Sequence, residues 1–187
     1  HASEYIADHF KTRQWLSGFT GSAGTLVVGE KEAALFVDGR YFIQAEQQIA
    51  GSGITLMRMG TAGTPTLEEY LAGLLHENDA LGVDFGVVSE KFAEDIRAAV
   101  AGSGALLRDT GDWFNDLWTD RPPMPKEKAF ILDEQYAGES VQHKVAAIRK
   151  VMDERGAQLH VLNVLDDIAW VLNVRGGDVL NTPVVMS

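Results

Sequence analysis

The chain has 187 residues, of which 45% are hydrophobic and 23% are charged, and it carries a net charge of −11. These values are ordinary for a globular protein of one large or two small domains, and they exclude an intrinsically disordered chain. Residues 1–119 hold 17 acidic against 8 basic side chains, which disfavours nucleic-acid binding, and no apolar run reaches the roughly 18 residues of a membrane span.

The predicted elements of the first part alternate between strands and helices. Apolar runs at 25–29 and 33–37 flank the polar pair Lys31-Glu32, which predicts a β-hairpin. Thr64-Pro65-Thr66 before two glutamates predicts the start of a helix that runs to about His76, and Ser89 predicts another start. The other predicted elements are helices at 41–50, 90–100 and 112–118 and strands at 54–59, 80–84 and 105–108. This alternation predicts an α/β fold whose mixed sheet is flanked by helices.

The motif DRPPMP at 120–125 predicts a stiff linker between two domains, because its prolines cannot continue a helix. Domain I is predicted at 1–119, and 126–187 is predicted to be part of a second, similar domain. Its predicted elements are a helix after Ser140, a strand at 158–164, a helix at 166–174, a turn at 175–177 and a strand at 184–186. Both ends of the chain look cut, so the true N-terminus and any signal peptide stay open.

The loop WLSGFTGSAGT at 15–25 places glycines at positions 18, 21 and 24. A P-loop needs a lysine, which is absent between Trp15 and Gly29, and a dinucleotide-binding loop leads into a helix, whereas this loop leads into a predicted strand. Phosphate binding is therefore disfavoured. Two interpretations remain, a tight bend where backbone approaches backbone or a loop that faces another domain or a ligand.

Familiar catalytic patterns are absent from the sequence. The five histidines are scattered, Gly-x-Ser-x-Gly does not occur, and the lack of cysteine excludes a cysteine nucleophile, disulfides and thiolate metal sites. The lack of cysteine also fits a reducing compartment. Asp166, which precedes an apolar helical run, is interpreted as a helix N-cap.

Two short polar groups lie at the ends of predicted elements, where functional sites often occur. They are Asp38-Gly39-Arg40 and Arg175-Gly176-Gly177-Asp178. The simpler interpretations are that Asp38 caps a helix and that Arg40 forms an ion pair. The four tryptophans lie beside apolar residues at helical spacings and are predicted to anchor the core; they are Trp15, Trp113, Trp118 and Trp170.

Five ordered motifs extend over nearly the whole chain. They are RxWLSGFTGSAGT at 13–25, FVDGRYF at 36–42, LWTDRP at 117–122, KVxxIR at 144–149 and LDDIAWxLNVRGGD at 165–178. Together they resemble the creatinase/prolidase-type N-terminal domains of Xaa-Pro aminopeptidase (aminopeptidase P). The last two are similar to the second domain of the long, three-domain form.

This resemblance implies two units of the creatinase N-terminal fold, a mixed sheet flanked by helices with a ribonuclease-H-like topology. The first strand of domain I, normally upstream of residues 3–6, would be missing, and domain II would be cut near its middle. The parent enzyme would remove the N-terminal residue from peptides with proline in second position. Two divalent metal ions, usually manganese, would be bound in a third, pita-bread domain after Ser187. The fragment itself would hold no catalytic or metal-binding residue and would be inactive.

The resemblance also implies a homodimeric, cytoplasmic parent whose N-terminal domains help to wall the active-site entrance. The candidates for that wall are Gly18, Gly21, Ser22, Gly24 and Arg40. An alternative is a binding module from a catalytically inactive creatinase-like protein. A creatine amidinohydrolase or a prolidase is a weaker option, because those enzymes typically have two domains.

Overall fold

The structure is a computed structural model that describes residues 4–186, and it divides into two compact units. One unit is Lys11–Arg121, and the other combines the chain from Pro122 onward with the N-terminal segment that ends at Phe10. Within the second unit, the Nδ1–H of His9 donates to the Pro122 carbonyl at 2.8 Å. The outer domain limits at positions 1 and 187, and the first strand expected upstream of residues 3–6, fall outside the described residues.

The first unit contains two small sheets. Strand β1 (Thr25–Val28) pairs antiparallel with β2 (Ala33–Val37), and β2 pairs parallel with β3 (Ile54–Arg58). Strands β4 (Ala80–Val83) and β5 (Leu106–Asp109) form a separate parallel pair. The predicted hairpin and the mixed character of the sheet are therefore confirmed.

Two helices of the first unit begin where their capping residues predict. The Thr66 hydroxyl accepts the N–H of Glu69 while the Glu69 carboxylate accepts the N–H of Thr66, a reciprocal capping box. The Ser89 hydroxyl accepts the N–H of Phe92, a one-way N-cap. The helices of this unit are α1 (Thr12–Ser17), α2 (Phe42–Gln48), α3 (Leu67–Leu74), α4 (Glu90–Ala101) and α5 (Phe114–Leu117).

Strand β2 is the centre of the first unit because both of its faces are covered. Phe36 packs into one buried cluster with Leu71 of α3 and Ile96 of α4. Leu35 packs into another buried cluster with Ala45 of α2. Leu35 and Phe36 are both fully buried. A strand that is covered on both faces needs a continuous apolar sequence rather than an alternating one, and this explains the run AALFV.

The second unit consists mainly of helices, together with one short antiparallel pair of strands that are distant in sequence. Its buried cluster combines Ala7 of the N-terminal segment with Leu165, Ala169, Val179 and Val184. Its elements are a 3-10 helix (Asp8–Phe10), β6 (Phe130–Ile131), α6 (Glu134–Ala137), α7 (Val141–Glu154), α8 (Leu165–Leu172) and β7 (Val174–Arg175), with β6 antiparallel to β7.

Several sequence predictions for the second unit are wrong. Residues 158–164 and 184–186 are not strands, and Arg175 lies in β7 rather than in a turn. Asp166 lies in the first turn of α8, whose N-cap is Val164, so Asp166 is not the cap. Apolar composition favours a strand, but a strand also needs a backbone partner. Within residues 4–186, no other backbone group is hydrogen-bonded to the backbone of 158–163.

The prediction that the tryptophans anchor the core holds for one of them. Trp118 is buried, whereas the other three expose 40–62% of their surface. Trp15 stacks on Trp118 with ring centroids 5.3 Å apart, and it meets Phe114 edge-on at 6.0 Å. Large aromatic rings are seldom covered completely, and helical spacing does not tell which ring faces the interior.

Candidate functional site

The glycine-rich loop connects α1 to β1 and begins with a left-handed turn. Gly18 ends α1 with φ 74° and donates its N–H to the Gln14 carbonyl at 2.8 Å. The next residue, Phe19, is fully buried, and its ring meets the Tyr41 ring edge-on with centroids 5.7 Å apart. The start of the loop is therefore anchored by an aromatic contact to the beginning of α2.

Two later positions in the loop require glycine because other atoms approach them closely. A Cβ on Gly21 would lie 2.2 Å from Cζ of Phe19 and 2.8 Å from Cδ1 of Tyr41. Gly24 has φ 155°, and a Cβ there would lie 2.9 Å from the carbonyl oxygen of Phe36. That oxygen belongs to β2 and cannot swing away as a side chain can. The loop is thus a tight bend pressed against the central strand.

Arg13 of α1 stabilises this bend through hydrogen bonds from its guanidinium. Its guanidinium donates to the Gly24 carbonyl at 2.6 Å and also to the Gly21 carbonyl. The same group lies 5.4 Å from the centre of the Phe19 ring, within cation–π range. Burial lowers the pKa of Arg13. Arg13 belongs to the first sequence motif, but sequence reasoning did not single it out, because only the fold brings it to the two carbonyls.

The outer side of the loop is tied to α2 by a polar network. The N–H of Thr20 donates to Oε1 of Gln48 at 3.0 Å. The Thr20 hydroxyl oxygen accepts from Nε2 of Gln44 at 2.9 Å and from Nε2 of Gln48 at 2.8 Å. These hydrogen-bonding groups are exposed, and the two glutamines lie on successive turns of one face of α2. They hold the loop in place and present amide and hydroxyl groups to solvent.

Arg40 pairs with Asp38 within the short connection between β2 and α2. Its Nε and Nη2 donate to the two carboxylate oxygens at 3.0 and 2.8 Å, and its backbone N–H donates to Oδ1 at 3.0 Å. These hydrogen bonds from Arg40 lower the pKa of Asp38. The N-cap of α2 is Tyr41, so the interpretation of Asp38 as a cap is wrong, whereas the interpretation of Arg40 as an ion-pair partner is confirmed.

Tyr41 brings the candidate residues together, although no sequence pattern singled it out as a site residue. The Arg40 guanidinium lies 5.2 Å from the centre of its ring, and the Ser22 hydroxyl lies 2.6 Å from its phenolic oxygen. Gly21 also faces the ring. Gly18 and Gly24 lie on the α1 and β2 sides of the loop and do not join this group. The cluster combines a guanidinium, an aromatic ring and two hydroxyl groups, which are groups suited to recognition.

The other polar motif, at 175–178, has a structural role in the second unit. Arg175 donates to the Ala169 carbonyl at 2.6 Å at the end of α8. The buried carboxylate of Asp178 accepts the backbone N–H of Glu127 at 3.0 Å and that of Met186 at 2.8 Å. Asp178 thus provides acceptors for two backbone N–H groups, and Arg175 adds a second donor to the Ala169 carbonyl, which also accepts the Asn173 N–H.

Lys144 of α7 is a buried cation that the sequence did not single out as a site. Its ammonium donates to Oδ1 of Asn173 at 2.6 Å and to the Trp170 carbonyl at 2.8 Å, and it lies 4.4 Å from the Trp170 ring centre. Asn173 adopts a left-handed conformation with φ 50° and donates to the Glu139 carbonyl at 2.9 Å. This network joins the end of α8 to the start of α7.

A metal centre finds no support in residues 4–186, where no group of three or more histidine, aspartate or glutamate side chains is arranged to hold an ion. In the same residues, no helix is both long enough and apolar enough to cross a bilayer. The two metal ions that the sequence resemblance implies therefore do not fit this part of the protein.

Comparison with known families explains the order of the motifs. Residues 5–117 and residues 120–187 both match the creatinase/prolidase N-terminal domain. The chain belongs to this family. The mixed α/β architecture agrees with it, so the predicted fold class is confirmed.

The relatives of this chain include proteins named aminopeptidase P, Xaa-Pro aminopeptidase or X-prolyl aminopeptidase. Aminopeptidase P2 of Arabidopsis thaliana is 41% identical over 99% of this chain, and "Probable Xaa-Pro aminopeptidase P" of Podospora anserina is 41% identical over 100%. A crystal structure of X-prolyl aminopeptidase from Caenorhabditis elegans, described as a cytosolic enzyme with a di-nuclear active site, superposes with a TM-score of 0.91 at 31% identity over 99% of this chain. The predicted resemblance to Xaa-Pro aminopeptidase is confirmed.

The chain spans less than a third of these relatives. It covers 26% of the Arabidopsis protein, 28% of the Podospora protein and 30% of the Caenorhabditis chain. The matched part is the N-terminal portion of each.

Proposed function

We propose that this chain is the non-catalytic N-terminal region of a metal-dependent Xaa-Pro aminopeptidase. The parent enzyme removes the N-terminal residue from peptides with proline in second position. The observation that supports this most strongly is similarity over the whole chain to enzymes of that name, combined with a match to both of its N-terminal domains. On this proposal the parent acts in the cytoplasm, as the Caenorhabditis relative does.

The two metal ions belong to residues of the parent that follow this region. The di-nuclear site named for the Caenorhabditis enzyme supports a metal pair in the parent. A pair of divalent ions activates a water molecule for attack on the peptide carbonyl, and manganese is the ion we expect. Residues 4–186 offer no ligand set for such a pair, so this region contributes no step of the hydrolysis.

The cluster of Gly21, Ser22 and Arg40 around Tyr41, here called the Tyr41 cluster, is the proposed contribution of this region to substrate access. Arg40 is exposed over 61% of its side chain, and its guanidinium lies over the Tyr41 ring. The adjoining loop is held rigid by Arg13 and by the Thr20 network. A rigid rim with a cation and several hydrogen-bonding groups can orient a peptide at low entropic cost. Ser22 and Gly18, Gly21 and Gly24 form the loop side of this rim.

The assignment of the region is tested by peptide hydrolysis. The 187-residue chain and the full-length parent are assayed with an Xaa-Pro tripeptide in the presence of Mn²⁺. We expect turnover by the parent and none by the chain alone. Turnover by the chain would contradict the non-catalytic role, and a folded parent without activity would favour the binding module. The resemblance also implies a homodimeric parent, and light scattering on the full-length protein tests this oligomeric state.

The entrance role is tested by Arg40→Gln in the full-length parent. We expect the KM of peptides longer than a dipeptide to rise by roughly 2- to 5-fold, the effect of one exposed charged contact, with kcat unchanged. The matched control is Lys91→Gln, which removes an exposed cation that is paired with Asp95 on α4. Equal KM values for the parent and both variants would exclude Arg40 from the entrance.

A further inference from the structure

The connection between β2 and α2 contains the single Asp-Gly pair of the sequence, Asp38-Gly39. The pair lies at the surface, since the Asp38 side chain is 39% exposed and Gly39 is also exposed. Aspartate forms a cyclic imide with the following backbone nitrogen most readily before glycine, because glycine has no Cβ that hinders the approach. The connection therefore carries the sequence of a spontaneous backbone modification.

This modification rearranges the backbone without an added reagent. The Gly39 nitrogen attacks Cγ of the neutral Asp38 carboxyl group, a C–N bond forms, and the carboxyl hydroxyl leaves with the amide proton as water. Water then opens the imide at the Asp38 backbone carbonyl and gives isoaspartate, in which the main chain runs through Cβ and Cγ. The mass is unchanged, but the main chain is one atom longer, so the residues that follow would be displaced relative to β2.

The two reacting groups of this pair are held very differently. Within residues 4–186, the Gly39 N–H has no hydrogen-bond partner. The Asp38 carboxylate, in contrast, accepts three hydrogen bonds from Arg40, two of them at Oδ1 and one at Oδ2. The Tyr41 N–H donates to the Asp38 carbonyl at 3.0 Å and closes a turn over the same residues. The carboxyl group must leave its partners before its Cγ can meet the Gly39 nitrogen.

The ion pair also keeps the carboxyl group in its unreactive state. Imide formation needs the neutral acid, because its hydroxyl must leave as water. Side-chain hydrogen bonds from Arg40 lower the pKa of Asp38, so the group stays ionised to lower pH. The guanidinium is itself placed over the Tyr41 ring, 5.2 Å from its centre. The restraint on Asp38 thus has a fixed geometry although it lies at the surface.

We propose that Asp38-Gly39 is a latent isomerisation site and that Arg40 suppresses the reaction by holding the Asp38 carboxylate away from the Gly39 nitrogen. This protective role is separate from substrate access. One consequence rests on the proposed function: isomerisation would move Arg40 off the Tyr41 ring and so alter the entrance that peptides meet.

The rate of isomerisation in the full-length parent tests the proposal. Isoaspartate is detected by mass spectrometry after digestion with an endoproteinase that cleaves before aspartate but not before isoaspartate. In mildly acidic buffer, we expect Arg40→Gln to lose cleavage at position 38 about 2- to 5-fold faster than the wild type, the effect of one exposed ion pair. Arg40→Lys, which keeps the charge without the two-nitrogen fork, should be intermediate. Equal rates in the folded proteins overturn the proposal.

Unfolding separates the fold from the local sequence. In urea that unfolds the parent, the wild type and Arg40→Gln should isomerise at equal rates, because the ion pair is absent from both. A difference that persists in urea overturns the proposal, since it would come from the neighbouring residue type alone. Circular dichroism in the reaction buffer verifies that both proteins are folded in the first comparison.

Two control variants test the site and the charge. Gly39→Ala fits the fold, because its Cβ would lie 4.0 Å from the nearest atom beyond its chain neighbours, Cε2 of Phe42, and it should slow the reaction strongly. An unchanged rate in this variant overturns the assignment of the site. Lys91→Gln, which removes the cation paired with Asp95, should react like the wild type, and an acceleration equal to that of Arg40→Gln overturns the specific role of Arg40. Rates are measured without substrate, so an inactive parent would contradict the proposed function without affecting this result.

Discussion

Apolar segments that look similar in sequence are buried in the first unit and exposed in the second. In the first unit the run AALFV is the central strand β2, and Leu35 and Phe36 are fully buried. In the second unit the run QLHVLNV at 158–164 forms no strand, and Leu159 and Val161 are among the most exposed apolar residues described. Composition alone does not decide whether an apolar run becomes a strand. The decision depends on whether neighbouring backbone and side chains are available to cover it.

The units also differ in how polar groups contribute to their interiors. Buried polar side chains in the described residues are Ser17 in the first unit and Lys144, Asn173 and Asp178 in the second. The first unit has two apolar clusters on the faces of β2, whereas the second has one cluster and a hydrogen-bonded network around Lys144. Stability should therefore depend on packing in the first unit and more on hydrogen bonds in the second.

The largest expected effect separates the two apolar runs. Phe36→Ala should reduce the free energy of unfolding of the 187-residue chain by about 3–5 kcal/mol, because it leaves a cavity in a fully covered core. Leu159→Ala should change it by less than about 0.5 kcal/mol, because that side chain is already in water. Urea unfolding followed by circular dichroism measures both. Similar losses for the two variants would contradict the contrast between the runs.

A smaller effect is expected from the buried cation of the second unit. Lys144→Ala should cost about 1–3 kcal/mol, because it leaves the buried Asn173 amide oxygen without its donor and removes the shorter of two hydrogen bonds to the Trp170 carbonyl. Lys150→Ala, at an exposed position of the same helix, is the control and should be nearly neutral. The comparison uses thermal and urea unfolding. A neutral Lys144→Ala variant would show that the network adds nothing to the second unit.

The glycine bend allows a similar comparison within the first unit. Gly24→Ala should destabilise the chain by about 1–3 kcal/mol, because it forces a side chain into a conformation that is rare for L-residues and toward the Phe36 oxygen. Gly102→Ala is the control, since Gly102 has φ −73° and open space around its Cβ position. The measurement is the urea midpoint. Equal midpoints for the two variants would mean that the bend can relax without cost.

The smallest expected effect is a difference in acid sensitivity. Asp109 accepts the N–H groups of Gly111 at 3.0 Å and Phe85 at 3.3 Å, and these hydrogen bonds lower its pKa. The stabilisation is therefore present above the unfolded value of about 3.9 and is lost as pH falls through the lower folded value. Asp109→Asn keeps an acceptor without titrating. Its stability should fall less steeply than that of the wild type below about pH 4, and identical acid profiles would refute this role.

Much of the first unit could be predicted from local signals. The hairpin and the helix starts at Thr66 and Ser89 each depend on residues within a few positions of one another, and the mixed sheet follows from the order in which strands and helices alternate. The glycine loop leads into strand β1 as predicted, and this exit is one of the features that disfavour phosphate binding. Whether that loop walls a substrate entrance stays a prediction.

The features that were missed depend on contacts between distant residues. The Arg13 contacts to Gly21 and Gly24, and the meeting of Ser22 and Arg40 at Tyr41, have no signature in spacing. The strand predicted at 158–164 was inferred from its apolar composition, but composition carries no information about whether a pairing strand is available. The grouping of the segment up to Phe10 with the chain from Pro122 likewise has no local cause.

The sequence by itself determined the family, the order of the first unit's elements and the helix caps at Thr66 and Ser89, because these depend on motifs, periodicity and hydrogen bonds between near neighbours. Only the tertiary structure decided which apolar run is covered, which tryptophan is buried and which side chains meet at Tyr41. Burial and backbone pairing are properties of two segments at once. The loop WLSGFTGSAGT illustrates what the sequence determines and what the tertiary contact adds. Its glycines predict a bend, but the carbonyl of Phe36 is what makes glycine necessary at position 24.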